Sequence, residues 1–349
     1  MAVCHIKMYL ISLLTKLLHL LPAEFSHLVA MKGLKISNYL GILKLLQSKI
    51  KSKPDTTTKD MTRLVGKVGL AAGLDKNGDY IDCLAGLGID FIEVGTVTPR
   101  AQKGNPRPRI FRNKRDKSIL NRLGFNNKGV DHLVQNLKRK KSNIIVGSSI
   151  GRNFDTSNDD AVNDYLYCLE RVYRYSDYIA VNISSPNSKD LRKLGNKKYL
   201  DSLLETIKSA QDRLSRVHKF VPIFVKISPD ETEENLRTIC KSIIQCKIDG
   251  IICTNTSIQH SHEDGLGGIS GAPLKEKSTT CLNYVKSLVG DSLTIIASGG
   301  VMSASDFHEK IEAGADHVQL YTGFIFEGPK LIQDIIDLNL DKLKTLHNT

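Results

Sequence analysis

The chain has no tryptophan, and only 6% of its 349 residues are aromatic. Large aromatic stacking platforms are therefore not expected. Seven cysteines (Cys4, Cys83, Cys168, Cys240, Cys246, Cys253 and Cys281) form no CxxC pair. Their odd number and irregular spacing read as reduced intracellular thiols, not as a disulfide framework or a zinc site. No stretch reaches the roughly 18 uncharged apolar residues of a spanning helix. The longest candidate, Met8 to Thr15, is bounded by Lys7 and Lys16. It lacks a small-residue cleavage site and runs on into a second helical pattern, which argues against a signal peptide. Arginine is absent before Arg63.

What is present is a globular composition, with 41% hydrophobic and 25% charged residues. That is enough to bury a large core and argues against wholesale disorder. The net charge is +12 and unevenly spread. Residues 1–64 hold ten lysines and arginines against Glu24, Asp55 and Asp60, which is +7 of the total. A basic terminus of this kind suits an anionic surface such as lipid or nucleic acid, or a solvated lysine-rich face with no partner.

Residues 4–50 read as helical. Leu10, Leu13, Leu14, Leu17, Leu18 and Leu21 recur at helical spacing, and Pro22 breaks the pattern. Phe25, Leu28, Val29, Leu40, Leu43 and Leu46 carry a second pattern, with lysines between them. The segment 51–58, Lys-Ser-Lys-Pro-Asp-Thr-Thr-Thr, reads as a linker. This divides the chain into an N-terminal helical segment, 1–55, and a larger domain, 60–349.

From residue 66 short β-rich runs alternate with helical patterns. There are eight: Val68–Ala72, Phe91–Gly95, Ile144–Ser148, Tyr178–Ile183, Pro222–Ile227, Gly250–Thr254, Thr294–Ser298 and His317–Tyr321. Near-continuous apolar strands suit a parallel sheet covered by helices, such as those expected at 159–173, 199–214 and 231–246. Eight units point to an α/β fold of the (β/α)8 barrel type, with a doubly wound sheet as the alternative. The interval from Gly95 to Ile144 is too long for one crossover and is expected to carry an extra hairpin that includes Pro108–Arg112. The run Lys138-Arg-Lys-Lys141 falls at an expected helix end, where cations complement the dipole.

In a barrel the active residues sit at the C-terminal ends of the strands. Those ends carry Ala71-Ala-Gly-Leu-Asp-Lys76, Gly95-Thr-Val-Thr98, Asn182-Ile-Ser-Ser-Pro-Asn187, Lys226, Thr254-Asn-Thr256, Ser298-Gly-Gly300 and Tyr321-Thr-Gly323. The hairpin adds Asn121-Arg-Leu-Gly-Phe125. Asparagine and threonine are poor core residues but good donors and acceptors for a polar planar ligand. The glycines after the seventh strand and Tyr-Thr-Gly after the eighth lie where barrels bind phosphate. A phosphate-bearing cofactor on the barrel top follows from this placement, although the placement does not identify it.

These blocks, together with Ile92-Glu-Val-Gly-Thr-Val-Thr-Pro-Arg100, Val225-Lys-Ile-Ser-Pro-Asp230 and Gly267-Gly-Ile-Ser-Gly271, resemble dihydroorotate dehydrogenase. The resemblance runs in order from about Pro22 to Leu338. It is to the quinone-dependent, membrane-associated class: Ser185 stands at the catalytic position, and Pro22-Ala-Glu-Phe-Ser-His27 is similar to that class's quinone-tunnel segment.

The resemblance implies oxidation of dihydroorotate to orotate in pyrimidine synthesis, with flavin mononucleotide (FMN) as hydride acceptor and a membrane quinone as final acceptor. Ser185 is then the base. Ala72, Gly73, Thr96, Ser149, Asn182, Lys226, Thr254, Gly271, Gly300, Tyr321 and Thr322 match positions that hold FMN. Lys76, Asn121, Arg122, Leu123, Gly124, Phe125, Asn182, Asn187, Asn255 and Thr256 match positions that bind dihydroorotate, and His27 and Arg112 match the tunnel. One position departs: the third strand end usually presents an asparagine to the flavin, and Ser149 stands there. A shorter side chain leaves room for a water. The resemblance also implies a monomer on the cytoplasmic side of a bacterial inner membrane, held peripherally through anionic lipid, with no nucleic-acid partner and no metal.

Two other readings are separable. An FMN barrel of the tRNA dihydrouridine synthase type would carry a cysteine acid and a basic helical domain after the barrel; here the helices come first and Ser185 is no cysteine. A degenerate, membrane-bound binding module would have lost Lys76, Ser185 or Asn182, and all three are present. The stretch His260-Ser-His-Glu-Asp264 carries metal-ligand residue types but reads as a polar loop.

Overall fold

The structure is a computed structural model that describes residues 14–43, 66–188, 190–262 and 265–347. The eight apolar runs form strands β1 (Lys67–Leu70), β2 (Phe91–Val97), β5 (Ile145–Ile150), β6 (Tyr178–Asn182), β7 (Ile223–Lys226), β8 (Gly250–Cys253), β10 (Thr294–Ser298) and β11 (His317–Leu320). They pair in parallel into a closed barrel, because β1 bonds to both β2 and β11. Closure excludes the doubly wound alternative. Nearly every strand position is buried, which is why these runs lack the alternation of a half-exposed sheet.

Large and small residues interlock inside the barrel. Phe91, Ile145, Tyr178, Ala180, Phe224, Ile252 and Ile296 form one inner cluster. Gly69, Gly147 and Gly250 make room for its rings: a Cβ on them would lie 2.5 Å from Phe91, 2.0 Å from Tyr178 and 2.4 Å from Phe224. The outer core lies between strands and helices. Helix α3 (Val130–Arg139), for example, buries Val130, Leu133, Val134 and Leu137, one stripe at helical spacing, and ends on Lys138 and Arg139 as expected.

The expected hairpin is β3 (Ile110–Asn113) with β4 (Ser118–Asn121). A strand missed in the sequence, β9 (Gly268–Gly271), pairs with β4 and makes the sheet three-stranded. It lies beyond the C-terminal ends of the barrel strands and walls one side of the opening.

Ahead of the barrel, residues 14–18 are helical and helix α1 spans Ala23–Tyr39. The barrel holds them by polar grips. Arg109, buried, donates from Nε and Nη2 to Glu24 Oε1 at 3.1 and 2.8 Å. Arg112 Nη2 donates to the carbonyls of His19 and Leu21 at 2.7 and 2.9 Å. Met31 and Leu43 pack into the core, but Leu14, Leu17, Leu20, Phe25, Leu28, Val29, Ile36 and Leu40 point outward and are exposed. No helix among the described residues is long and apolar enough to cross a membrane. The expected linker 51–58 and the boundary between 55 and 60 lie outside the described residues.

Candidate active site

An open cleft of about 890 Å³, continuous with solvent, sits at the C-terminal ends of the barrel strands. Its wall contains Ala72, Gly73, Lys76, Thr96, Asn121, Leu123, Gly124, Phe125, Asn182, Ser185, Asn187, Lys226, Thr254, Asn255, Thr256, Gly271, Gly300, Tyr321 and Thr322. These residues come from segments up to 250 positions apart in the chain, and the parallel barrel brings them together because every strand delivers its end to the same rim.

The side-chain amides form two chains. Asn255 Nδ2 donates to Asn182 Oδ1 at 3.3 Å and to Ser184 Oγ at 3.0 Å. Asn182 Nδ2 donates to Thr96 Oγ1 at 2.9 Å, and its backbone carbonyl accepts from Tyr165 OH at 2.7 Å. Across the cleft, Asn187 Nδ2 donates to Asn121 Oδ1 at 2.9 Å, and Asn121 Nδ2 to the Gly268 carbonyl at 3.1 Å. Asn121, Asn182 and Asn255 are held at both amide ends and Asn187 by its Nδ2, which fixes their orientation and leaves the remaining N–H groups and lone pairs for a ligand.

Ser185 is buried at this rim, and its Oγ accepts one long bond from the Asn187 N–H at 3.4 Å. No carboxylate or imidazole among the described residues is hydrogen-bonded to it, so no Ser-His-acid triad is built here. Lys76 is pushed down to about 8 by burial and by the like charge of Arg109. Lys226 lies 3.5 Å from Glu93 Oε1 inside the barrel. Glu93 Oε2 accepts from Gln319 Nε2 at 2.7 Å and from Tyr178 OH at 3.2 Å.

Ser149 and Arg122 lie outside this wall, as do His27 and Arg112, which were expected along a tunnel and not in the cleft. Ser149 is fully buried and outside the cleft wall, with its Oγ 2.9 Å from Thr96 Oγ1. β5 aims it into the barrel, where the Thr96 hydroxyl is its partner. Arg122 is also outside the wall, because its guanidinium lies 4.6 Å from the Phe111 ring centre and its Nε donates to the Pro108 carbonyl. Arg112 is taken up by the carbonyls of residues 19 and 21. His27 is on α1 outside the cleft wall; burial first, and the Lys76 charge second, hold its imidazole below the ordinary value. Of the stretch 260–264, Glu263 and Asp264 lie outside the described residues, and His260 Nε2 contacts the Gly267 carbonyl at 3.0 Å.

The sequence reading missed Gln319, Ser270, Leu274 and Met302, which also line the cleft. Gln319 carried a signal. It is the polar residue at an inward position of an otherwise apolar strand, two places from the inward His317. Its Oε1 is buried and accepts no hydrogen bond, so it faces the cleft floor as an acceptor available to a ligand.

Comparison with known proteins agrees with this geometry. A family model described as dihydroorotate dehydrogenase matches residues 56–343. A dihydroorotate dehydrogenase (quinone) of Acinetobacter baylyi is 46% identical over 334 residues, covering 94% of this chain and 98% of the relative. One from Cupriavidus pinatubonensis is 46% identical over 324 residues, covering 90% and 94%. Among solved structures, a DHODH of Eimeria tenella in complex with ferulenol superposes with a TM-score of 0.79 at 33% identity, covering 93% of this chain and 92% of that one.

Proposed function

The chain belongs to the dihydroorotate dehydrogenase family, and we propose as its function the oxidation of dihydroorotate to orotate with a quinone as final electron acceptor, a step of pyrimidine biosynthesis. The observation that carries this reading is the convergence of Ser185, four asparagines and two lysines on one cleft at the barrel rim.

FMN fits the cleft. Gly299, Gly300 and Val301, with Thr322 and Gly323, bring bare backbone to one side of it, which suits a phosphate. Gln319 Oε1 is an unpaired acceptor on the floor, and Lys76 and Lys226 supply positive charge. When bound, FMN supplies the hydride acceptor. Ala72, Gly73, Thr96, Asn182, Lys226, Thr254, Gly271, Gly300, Tyr321 and Thr322 would hold it, with Ser149 beside Thr96.

Dihydroorotate is polar and anionic, and becomes planar only when oxidised to orotate. Asn121, Asn187 and Asn255 offer amide donors and acceptors to its alternating carbonyl and N–H edges, with Thr256 beside them. Lys76 offers a cation to its carboxylate. Ser185 Oγ takes the proton from the carbon next to a carbonyl and gives up its own hydroxyl proton to solvent at the open cleft, while the hydride leaves the neighbouring carbon for the flavin the cleft would hold, so two hydrogens are lost in all. A serine hydroxyl is a weak base and relies on placement and on the acidity of that C–H. The fixed amides hold the ring by its edge and orient it toward Ser185.

Residues 1–55 serve as the membrane and quinone segment, and 60–349 as the catalytic barrel. The exposed leucine-rich faces suit peripheral contact with anionic lipid on the cytoplasmic face of an inner membrane, with His27 and Arg112 beside the quinone path. The test is the visible spectrum of the purified protein. A yellow protein bleached under anaerobic conditions by dihydroorotate, and recoloured by a quinone, is the expected result. A flavin that dihydroorotate leaves oxidised would overturn the assignment.

A further inference from the structure

Arg192 lies in a short 3-10 turn, Leu191–Gly195, beyond the Ser185 loop, and no role has yet been given to it. Its guanidinium reaches three separate loops. Nε donates to the Ser184 carbonyl at 3.2 Å, Nη2 to the Thr256 carbonyl at 3.0 Å, and Nη1 to Asp230 Oδ2 at 2.8 Å. These acceptors follow β6, β8 and β7 respectively. The Ser184 carbonyl belongs to the peptide that leads directly into Ser185, and the Thr256 carbonyl to the loop that carries Asn255.

Asp230 anchors the arrangement. It also accepts from Lys277 Nζ and Ser257 Oγ at 2.5 Å each and from the Ile258 N–H at 2.9 Å. Burial alone would raise its carboxyl, and these donors with Arg192 hold it below its ordinary value, so it is ionised at neutral pH. The Asp230 side chain is 6% exposed. A planar fork with five N–H groups can point in three directions at once, whereas a lysine ammonium here could satisfy the carboxylate but not both carbonyls.

We infer that Arg192 is a positioning residue that ties the Ser185 loop to the Asn255 loop and so sets the distance between the base and the substrate ring. This rests on the reading of Ser185 and Asn255 given above. It adds a residue that touches neither substrate nor cofactor. Losing the two carbonyl bonds lets the loops separate while leaving the cofactor side of the cleft untouched. A misplacement of about 1 Å at a reacting atom costs on the order of 100-fold in rate.

The experiment compares wild type, Arg192→Lys and Arg192→Gly. Flavin bleaching by dihydroorotate is expected to slow about 100-fold in Arg192→Lys, while FMN content, the visible spectrum and reoxidation of the reduced flavin by quinone stay at wild-type values. Added guanidinium should restore part of the bleaching rate in Arg192→Gly. Thermolysin supplies a readout that needs no cofactor: Leu191 and Leu194 are buried in the tied loop, and cleavage there should rise in both variants. Bleaching at the wild-type rate in Arg192→Lys, or loss of both half-reactions in proportion, would overturn the inference. If Arg192→Gly does not fold, Arg192→Lys decides alone, since it keeps the ion pair with Asp230. A wild-type protein that dihydroorotate does not bleach would count against the proposed function instead.

Discussion

Replacing Gly300 with alanine separates the cost of backbone strain from the cost of moving the phosphate cradle. Gly300 has φ +76°, and an added Cβ would lie 2.1 Å from Lys275 Cα, 2.6 Å from its Cβ and 2.6 Å from its N. The left-handed conformation costs alanine roughly 1–2 kcal/mol. The overlap is with backbone at the first residue of helix α7 (Lys275–Val289), which cannot rotate away. Relieving it by a backbone shift costs about 1–3 kcal/mol. The free protein escapes most of this by letting the loop 299–301 swing outward; the FMN-bound protein has to bring it back. On the order of 3 kcal/mol is therefore charged against cofactor binding, about 100-fold in dissociation constant. Gly290 is the control. It has φ +54° but nothing within 4 Å of its Cβ, so Gly290→Ala takes the strain alone and should leave FMN affinity unchanged. Ultrafiltration with absorbance of the free flavin measures both. An FMN dissociation constant in Gly300→Ala within threefold of wild type would refute the cradle.

Three further outcomes follow from the site. Ser185→Ala should keep FMN and slow flavin bleaching by about 100- to 10,000-fold; stopped-flow bleaching at the wild-type rate would show that the proton leaves by another group. Lys76, pushed down to about 8, is a cation below that pH and neutral above it. The KM for dihydroorotate should therefore rise as pH climbs through 8, though the bound carboxylate will move the midpoint upward, and Lys76→Gln should abolish this dependence. A chain beginning near Asp55, if it folds, should keep dihydroorotate-driven bleaching and reduce a small soluble acceptor. It should lose sedimentation with anionic vesicles and most turnover with a long-chain quinone; equal long-chain turnover by the two forms would remove the tunnel role from the N-terminal helices.

The barrel was legible because its strands are buried on both faces. Thr294–Ser298 matches its expected bounds, and the other strands depart by a residue or two at their ends. The cleft was legible because polar residues at strand ends have no business in a core, and Asn182, Lys226, Thr254 and Tyr321 all follow apolar runs. What escaped notice lacks a periodic signal. β9 is Gly-Ile-Ser-Gly, four residues held as a strand only by pairing with β4. Arg192 acts on backbone carbonyls, which every residue has and no sequence pattern marks. Ser149 stands at the end of β5, and its hydrogen bond to Thr96 could not be read from the sequence. The outward face of α1 was readable as leucine-rich; its attachment through Glu24 to Arg109, 85 positions away, was not.

The placement of Lys226 shows how the barrel reconciles a charged site with an apolar core. Below the cleft, Glu93 is wholly buried. A lone carboxylate there would be strongly disfavoured. Its Oε2 is satisfied by Gln319 and Tyr178, and its Oε1, which makes no hydrogen bond, faces Lys226 Nζ at 3.5 Å. Glu93, Gln319 and Tyr178 thus form a polar layer between the aromatic cluster and the cleft floor. The cluster contributes packing, while the polar layer sets the Glu93 carboxylate against the buried Lys226 side chain. The distance leaves the ammonium free to donate upward. Removing Glu93 would leave the buried lysine without its ion-pair partner, so the placement of Lys226 at the cleft floor depends on an acid outside the cleft wall.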